Sequence, residues 1–482
     1  MNGQMKYDYI ILGAGVAGLA FAYKVAKEGN SVLILEKEKT IGGLSRTFEY
    51  KGFRFDFCAH RFHSANKELL DEIKSLVGQS FKKHVKKSRI YMFNRYLKYP
   101  FELPNLFRAM GPISSIHASV SFGYNSILRK LNKDYLASKE KVSYKDWFLY
   151  YFGHKLYTIM CYPYTSKIWN CDPSEISADW ADQRFQGLKL KEMIKKTFKK
   201  IIKLDFSSYS LEDESLAPDG GEFYYGELGA QEIPNAFERA LKKYNSEILT
   251  EANLTKIYEK QLKVDYSFKE KKYSAEANKA IITTIPLHVY YELMDKKDKD
   301  IEKVLKELKY MDIIFIYLFL NKERISNDHW LYFPDKDVVF NRAVEFKTWS
   351  KKMAPEGKTA TCLDITCFEG DETWNKTDQQ LVQECIDSAE KAKLIKKEEV
   401  FDSKVIRVRD AYPFYDLDYE EKLKKIVSFI EESGKIFCLG RTGIFRYNNS
   451  DNSIEMGFEL AKRLLSKDNR SLLDYTIKKV SY

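Results

Sequence analysis

Apolar and polar positions along the chain sort into a readable series of elements. "YDYIIL" (Tyr7–Leu12) is a continuous apolar run of strand length. "GAGVAGLAFAYKVAKEG" follows, with glycines first and a helical period after them, and "SVLILE" (Ser31–Glu36) is a second buried strand closed by an acid. From about Asn66 to Phe206 helical periodicity dominates, with many lysines and aromatics. "LKLKEMIKKTFKKIIKLDF" (Leu188–Phe206) places Leu190, Ile194, Phe198 and Ile201 or Ile202 on one helical face, which suits packing on its own domain or a membrane surface. "LAPDGGEF" (Leu216–Phe223) reads as a loop, "IPNAFERALKKY" as a helix, and "NLTKIYEKQLKVDYSF" as a hairpin. "KAIITTIPLH" (Lys279–His288) is a strand that ends at Pro286 and returns the chain to the first unit. "IIFIYLFL", "WLYFP", "VVFNRAVEF" and "TATCLDITC" predict an antiparallel sheet. The final stretch reads strand "KIFCLGRTG", loop "IFRYNNSDN" and helix "SIEMGFELAKRLL", with Ile454, Phe458, Ala461 and Leu465 inward.

The first three elements carry the clearest chemistry. Gly13, Gly15 and Gly18 stand at G-x-G-x-x-G spacing between a strand and a helix. The first glycine permits a tight turn, the second lets a phosphate approach the backbone, and the third lets helix and strand pack closely. The helix N-terminus then faces a pyrophosphate, and Glu36 stands where a ribose-binding acid belongs. This predicts a dinucleotide-binding unit.

Composition narrows the remaining choices. With 482 residues, 44% of them hydrophobic, two or three domains and a substantial core are expected. The net charge of +10 suits either anionic substrates or solvated lysines. No nucleic-acid motif is found. The start, "MNGQMKYDYIILGAG", has no signal-peptide pattern, and "MDIIFIYLFL" is too short to span a bilayer; a cytoplasmic protein is expected. Seven scattered cysteines without a C-x-x-C pair argue against a disulfide scaffold or zinc ribbon. Cys58, His60 and His63 in "FRFDFCAHRFHS" could begin a zinc site, but no fourth ligand lies near, so no metal is expected; His63 is read as a structural histidine.

Several motifs together then resemble a known family. "GGLSRT" (Gly42–Thr47), "FDFCAHRFHS", "KYPFE", "YPYTSKIW", "WLYFP", "AYPFYD" and "GRTGIFRYNNSDNSIEMG" follow the order and spacing of the UDP-galactopyranose mutases. The chain also resembles a wider set of flavoproteins related to protoporphyrinogen and amine oxidases. The resemblance runs from Tyr7 to about Leu465. It implies an α/β fold: a Rossmann-like FAD-binding domain (1–90, 207–300 and 411–482), an inserted helical domain (91–206) and an antiparallel sheet domain (301–410).

It also implies FAD, needed in the reduced form, with NAD(P)H as a possible electron donor. Gly42, Gly43 and Arg46 would flank the pyrophosphate; Gly440 and Arg441 would run under the flavin. The helix near Asp451 and Ser453 would aim its N-terminus at the flavin. His60 would neighbour the flavin N5 edge.

The implied reaction interconverts pyranose and furanose forms of a nucleoside-diphosphate sugar, with reduced flavin N5 as nucleophile. Arg342, Tyr332, Tyr412 and Tyr447 match diphosphate-binding positions. Tyr99, Trp169 and Tyr162 would line the nucleotide or sugar. Departures are visible. Two family glycines become Cys58 and Ala59, a family arginine becomes Tyr162, a glutamine becomes Glu102, and "DNS" stands for Asp-His-Ser. An FAD oxidoreductase of the amine or protoporphyrinogen type is the alternative, and a flavin-binding protein without catalysis a third. The 33 tyrosines mean that any single one is more often packing than catalytic.

Overall fold

The computed structural model describes residues 5–99, 103–132, 134–136, 138–181 and 221–473. The stretches Leu188–Phe206 and Leu216–Gly220, and Glu102, lie outside these residues.

Among the described residues, eighteen strands form the frame. In chain order they are β1 (Met5–Leu12), β2 (Val32–Leu35), β3 (Thr47–Tyr50), β4 (Phe53–Asp56), β5 (Phe81–Val85), β6 (Ser88–Met92), β7 (Arg95–Lys98), β8 (Glu222–Gly226) and β9 (Ser246–Leu249). There follow β10 (Asn253–Tyr258), β11 (Lys263–Phe268), β12 (Lys271–Thr283), β13 (Tyr310–Leu320), β14 (Trp330–Tyr332), β15 (Arg342–Glu345), β16 (Thr359–Cys367), β17 (Val400–Pro413) and β18 (Ile436–Cys438).

The first sheet runs β10-β11-β12-β1-β2-β9, with β18 also on β12. Strand β1 pairs in parallel with β2 and β12, as a strand buried on both faces by helices must. Helix α1 (Val16–Lys27) covers one face and packs on helix Ser450–Leu465. The contact is close because Gly457 lacks a side chain; a Cβ there would lie 2.5 Å from the Ala17 carbonyl. The buried stripe of that second helix is Ile454, Met456, Gly457, Leu460 and Ala461. Leu465, expected inward, is exposed, and Phe458 is half-buried beneath the Lys24 ammonium.

The second sheet runs β17-β13-β16-β15-β14-β6-β7, antiparallel except for the parallel β14–β6 pair. Strand β13 is buried at every position, as its unbroken apolar run predicts. The β10–β11 hairpin forms as read from the alternation. The β6–β7 hairpin sits in this second sheet, so the boundary expected at residue 90 falls inside it; β17 likewise runs through residue 410. Helices α2 (Lys67–Val77), α3 (Leu103–Met110), α4 (Pro112–Leu131) and α5 (Tyr144–Phe152) lie between the sheet-forming segments. Asn66 caps α2 and a Ser143–Asp146 capping box starts α5. No helix among the described residues is long and apolar enough to cross a membrane.

Candidate active site

The nucleotide turn follows β1. Gly13 adopts φ +96°, and a Cβ there would stand 2.4 Å from Thr284 Oγ1. Both constraints demand glycine. A Cβ on Gly18 would lie 2.7 Å from the Gly13 carbonyl, so helix and turn touch. Gly15 is different. A Cβ there meets nothing within 4 Å, leaving its backbone approachable. Glu36 is buried; its carboxylate accepts the Ala14 N–H at 2.8 Å and the Glu38 N–H at 3.0 Å. Gly42 donates its N–H to the Ala14 carbonyl, fastening the second glycine pair to the first turn.

Arg46 directs its fork at the protein. Nε donates to the Gly43 carbonyl at 2.8 Å and Nη1 to Glu38 at 2.9 Å, with Phe57 and Phe48 beside the guanidinium. Gly440 lies against Ala17, and Arg441 donates to the carbonyls of Asn448 and Ala411. Ser453 Oγ donates to Asn448 Oδ1 at 3.1 Å. Asp451 starts helix Ser450–Leu465; burial pushes its carboxyl up to about 6, opposed by N–H groups at the helix start and by Arg61.

The second sheet supplies the facing groups. Arg342 on β15 stands opposite Tyr332 on β14. Arg342 Nε and Nη2 both donate to Asp364 Oδ2, at 3.0 and 2.6 Å. The same oxygen accepts the Cys58 thiol at 3.1 Å. Burial pushes that thiol up, so it stays a neutral donor. Cys58 adopts φ +61°, a left-handed conformation natural to glycine. Thus the chain keeps the backbone shape of a glycine here and adds a sulfur contact.

His60 sits between these groups. Burial and the charges of Arg441 and Arg342 hold its imidazole down at about 3, so the ring is neutral. His63 is exposed rather than structural, and Cys58 is turned to Asp364; the three do not converge as metal ligands. Tyr412 stacks on Tyr447, with ring centroids 5.1 Å apart, and Arg441 lies 4.8 Å over the Tyr412 ring. Tyr447 reaches Trp169, which is buried against Phe414. Tyr99 and Tyr164 both meet the Tyr332 ring. Tyr162 is half-buried, with the Lys336 ammonium over its ring.

Three buried polar atoms here lack a hydrogen bond: His60 Nδ1, Trp169 Nε1 and Asp364 Oδ1. Unsatisfied buried polar groups are costly, and three of them among these side chains fit a polar ligand. The residues therefore fit a dinucleotide with a polar substrate beside it.

Comparison with known proteins agrees on the frame. The family model for the NAD(P)-binding Rossmann-like domain matches residues 11–76. A crystal structure of reduced UDP-galactopyranose mutase superposes with a TM-score of 0.80, at 19% identity over 97% of this chain and 95% of that one. The fold is that of UDP-galactopyranose mutase. Putrescine oxidase bound to putrescine superposes at 0.65, with 14% identity, 96% of this chain and 100% of that one. In sequence, the UDP-galactopyranose mutase of Mycoplasma pneumoniae is 38% identical over 71 residues, 14% of this chain and 18% of its own length. An inactive all-trans-retinol 13,14-reductase of Danio rerio is 49% identical over 49 residues, 10% of this chain and 8% of its own. These matches span under a fifth of either curated relative.

Residues beyond the sequence-derived set also line this candidate site. Asp364 is the lone acid in "TATCLDITC"; an acid inside a buried strand signals a partner. Lys167 Nζ donates to the carbonyls of Phe333, Asp335 and Phe340 at 2.7, 3.0 and 2.6 Å. It ties down the connection that joins Tyr332 to Arg342. Burial lowers its ammonium to about 7. Arg61 and Lys86 lie over the Trp330 ring at 5.5 and 5.7 Å, and Lys86 also over Tyr99. Nothing in their spacing pairs them; only the fold does.

Proposed function

We propose that the chain is an FAD-dependent mutase that interconverts ring forms of a sugar carried on a nucleoside diphosphate. The observation that carries this reading is Arg342 opposite Tyr332, with buried His60 feeling the charges of both Arg342 and Arg441, in a chain whose glycine turn is intact. Gly13, Gly15, Gly42, Gly43 and Glu36 would hold the dinucleotide, with Gly440, Arg441, Asp451 and Ser453 along its flavin end. Bound and reduced, FAD would supply a nucleophilic ring nitrogen, with NAD(P)H a candidate reductant.

The chain's own work is to hold the leaving diphosphate and exclude water. A guanidinium in a fixed fork suits phosphate oxygens, and tyrosine hydroxyls add donors. Arg342 is already paired with Asp364, so its charge is partly neutralised before a substrate arrives. Tyr332, Tyr412 and Tyr447 would share the phosphates, and Arg61 and Lys86 would offset the arginine replaced by Tyr162. Neutral His60 can accept or donate a hydrogen bond without adding charge. Tyr99, Tyr162 and Trp169 would border the base or sugar.

A second reading has its own support. The stacked Tyr412–Tyr447 pair beside Trp169 resembles an aromatic cage, which suits an amine or porphyrinogen-like substrate of an FAD oxidoreductase. Turnover distinguishes the two. The mutase isomerises a nucleotide sugar only when reduced, with dithionite or NAD(P)H, and consumes no net reductant. Bleaching of the oxidised flavin by an amine or porphyrinogen, without nucleotide-sugar isomerisation under reduction, overturns the mutase reading.

A further inference from the structure

Helix α4 is built inside out. Ser115, Ser121, Asn125 and Arg129 face the protein beside Ala118 and Phe122, while His117, Ser119 and Lys130 are exposed. Ser115 Oγ donates to the Phe107 and Gly111 carbonyls at 2.8 and 2.7 Å, and Asn125 Nδ2 to the Tyr150 carbonyl at 2.6 Å. Arg129 Nη1 donates to the Tyr151 carbonyl at 3.2 Å, and Ser121 Oγ accepts the Lys155 N–H at 3.3 Å. The outward face is apolar: Ile113, Ile116, Val120, Tyr124, Ile127 and Leu131 are each at least 60% exposed. Of the fourteen large apolar side chains exposed among the described residues, seven lie on this helix, so the apolar surface is one stripe and not scatter. The stripe repeats every three or four residues and runs about 27 Å along the axis.

A helix left in water has no reason for this polarity. An ordinary surface helix turns its isoleucines inward and its serines outward. Here hydrogen bonds to α3, α5 and the chain around Lys155 fix the polar side inward, so the apolar side is held out. Charge says what covers it. From Leu103 to Asn132 there is no Asp or Glu, while Arg108, Arg129 and Lys130 are cationic. A second copy of this chain would bring a basic, acid-free stripe against its own like. An anionic lipid surface answers both features, since apolar side chains enter the acyl boundary and exposed Lys130 meets headgroup phosphates.

We propose that the outward face of α4 seats the protein on an anionic membrane surface, with the helix parallel to the bilayer plane. This does not rest on the proposed activity. The test is flotation of the full-length, flavin-loaded protein with vesicles of phosphatidylcholine alone or mixed with phosphatidylglycerol. The wild type is expected to float with the mixed vesicles and less with the neutral ones, and added salt lowers binding. I116E/Y124E/I127E is expected to weaken partitioning ~100-fold or more while keeping flavin content and Tm. K130E weakens it by a smaller factor, ~3- to 10-fold. A wild type that binds neither vesicle, or a triple variant that floats as well as the wild type, overturns the proposal. So does a concentration-dependent dimer that the triple variant dissolves in a protein that never floats; the face would then belong to a second copy.

Discussion

The nucleotide turn and the face opposite it are made of different material. The turn is backbone: Gly13, Gly15 and Gly42 act through missing side chains, and the N–H groups of Gly13 and Gly42 tie the turn together by donating to the Leu35 and Ala14 carbonyls, all within the first 42 residues. The opposing face is side chain: His60, Tyr332, Arg342, Asp364, Tyr412 and Tyr447 come from separate segments and meet through strand register. A backbone site depends on a few glycines and survives change around them. A side-chain site depends on every strand that sets its register. On the proposed reading, the first region would hold the cofactor and the second the substrate. The fold matches over 97% of the chain at 19% identity in keeping with this, since frame and pocket can change independently.

The largest expected effect breaks the turn. Gly13→Val places a Cβ against Thr284 and forces a β-branched residue to φ +96°. Overpacking and strain together cost about 3 kcal/mol or more. The purified variant should be colourless and melt several degrees lower. Gly15→Ala is the counterpart. Its Cβ meets no protein atom, so Tm should hold while FAD affinity falls; unchanged affinity would remove the turn from the cofactor site.

On the side-chain face, Asp364→Ala should cost about 2–4 kcal/mol in denaturant unfolding, because Arg342 loses its carboxylate. The figure lies below that of a fully buried pair because Arg342 keeps 22% of its side chain exposed. Arg342→Met combined with Asp364→Ala should recover part of the loss. If the double variant is as unstable as the sum of the singles, the pair is not coupled.

Next comes acid. His60 is held down at about 3 in the folded protein and titrates near the ordinary 6.5 of a histidine when unfolded. The unfolded state therefore takes up the proton first, and stability falls as pH drops below about 6.5, levelling near 3. Between pH 7 and 5 the contribution is about 1–2 kcal/mol. A His60→Gln variant should show a flatter stability profile over that range. An equal slope in both would place the titration elsewhere.

The smallest effect expected is Tyr412→Phe. One hydroxyl is removed and the ring stack with Tyr447 remains, so nucleotide-sugar affinity should fall by about 1 kcal/mol, with Tm unchanged. A loss as large as that of Arg342→Ala would make the hydroxyl, and not the charge, the main diphosphate contact.

The turn was legible because its residues are consecutive. Strand, glycines, helix and acid announce themselves through local spacing, and β13 through eleven buried positions in a row. Asp364 left a weaker trace, a single acid in an apolar strand. The pairing of Lys167 with three carbonyls, and of Arg61 and Lys86 with Trp330, had none, since those contacts join segments far apart in the chain. Leu465 misled the helix reading because periodicity finds a face but not where its neighbour ends; α1 packs at Gly457 and leaves the last turn open. In α4 the same pattern pointed outward, and only hydrogen bonds from the polar side reveal which way the helix faces.

Strand β1 waits for a partner. Ile10 pairs with Ile281, made 271 residues later, and β12 in turn receives β18 at Ile436–Cys438. At ribosomal speeds the newborn β1 edge stays open for roughly 15–50 s before β12 leaves the ribosome. During that interval Tyr9, Ile10 and Ile11 present an apolar strand edge to any other chain. Recovery of folded protein is therefore set by time as much as by stability. Slower growth temperatures and abundant holding chaperones should raise soluble yield, and a fragment ending before Lys271 should aggregate however well its first helix forms.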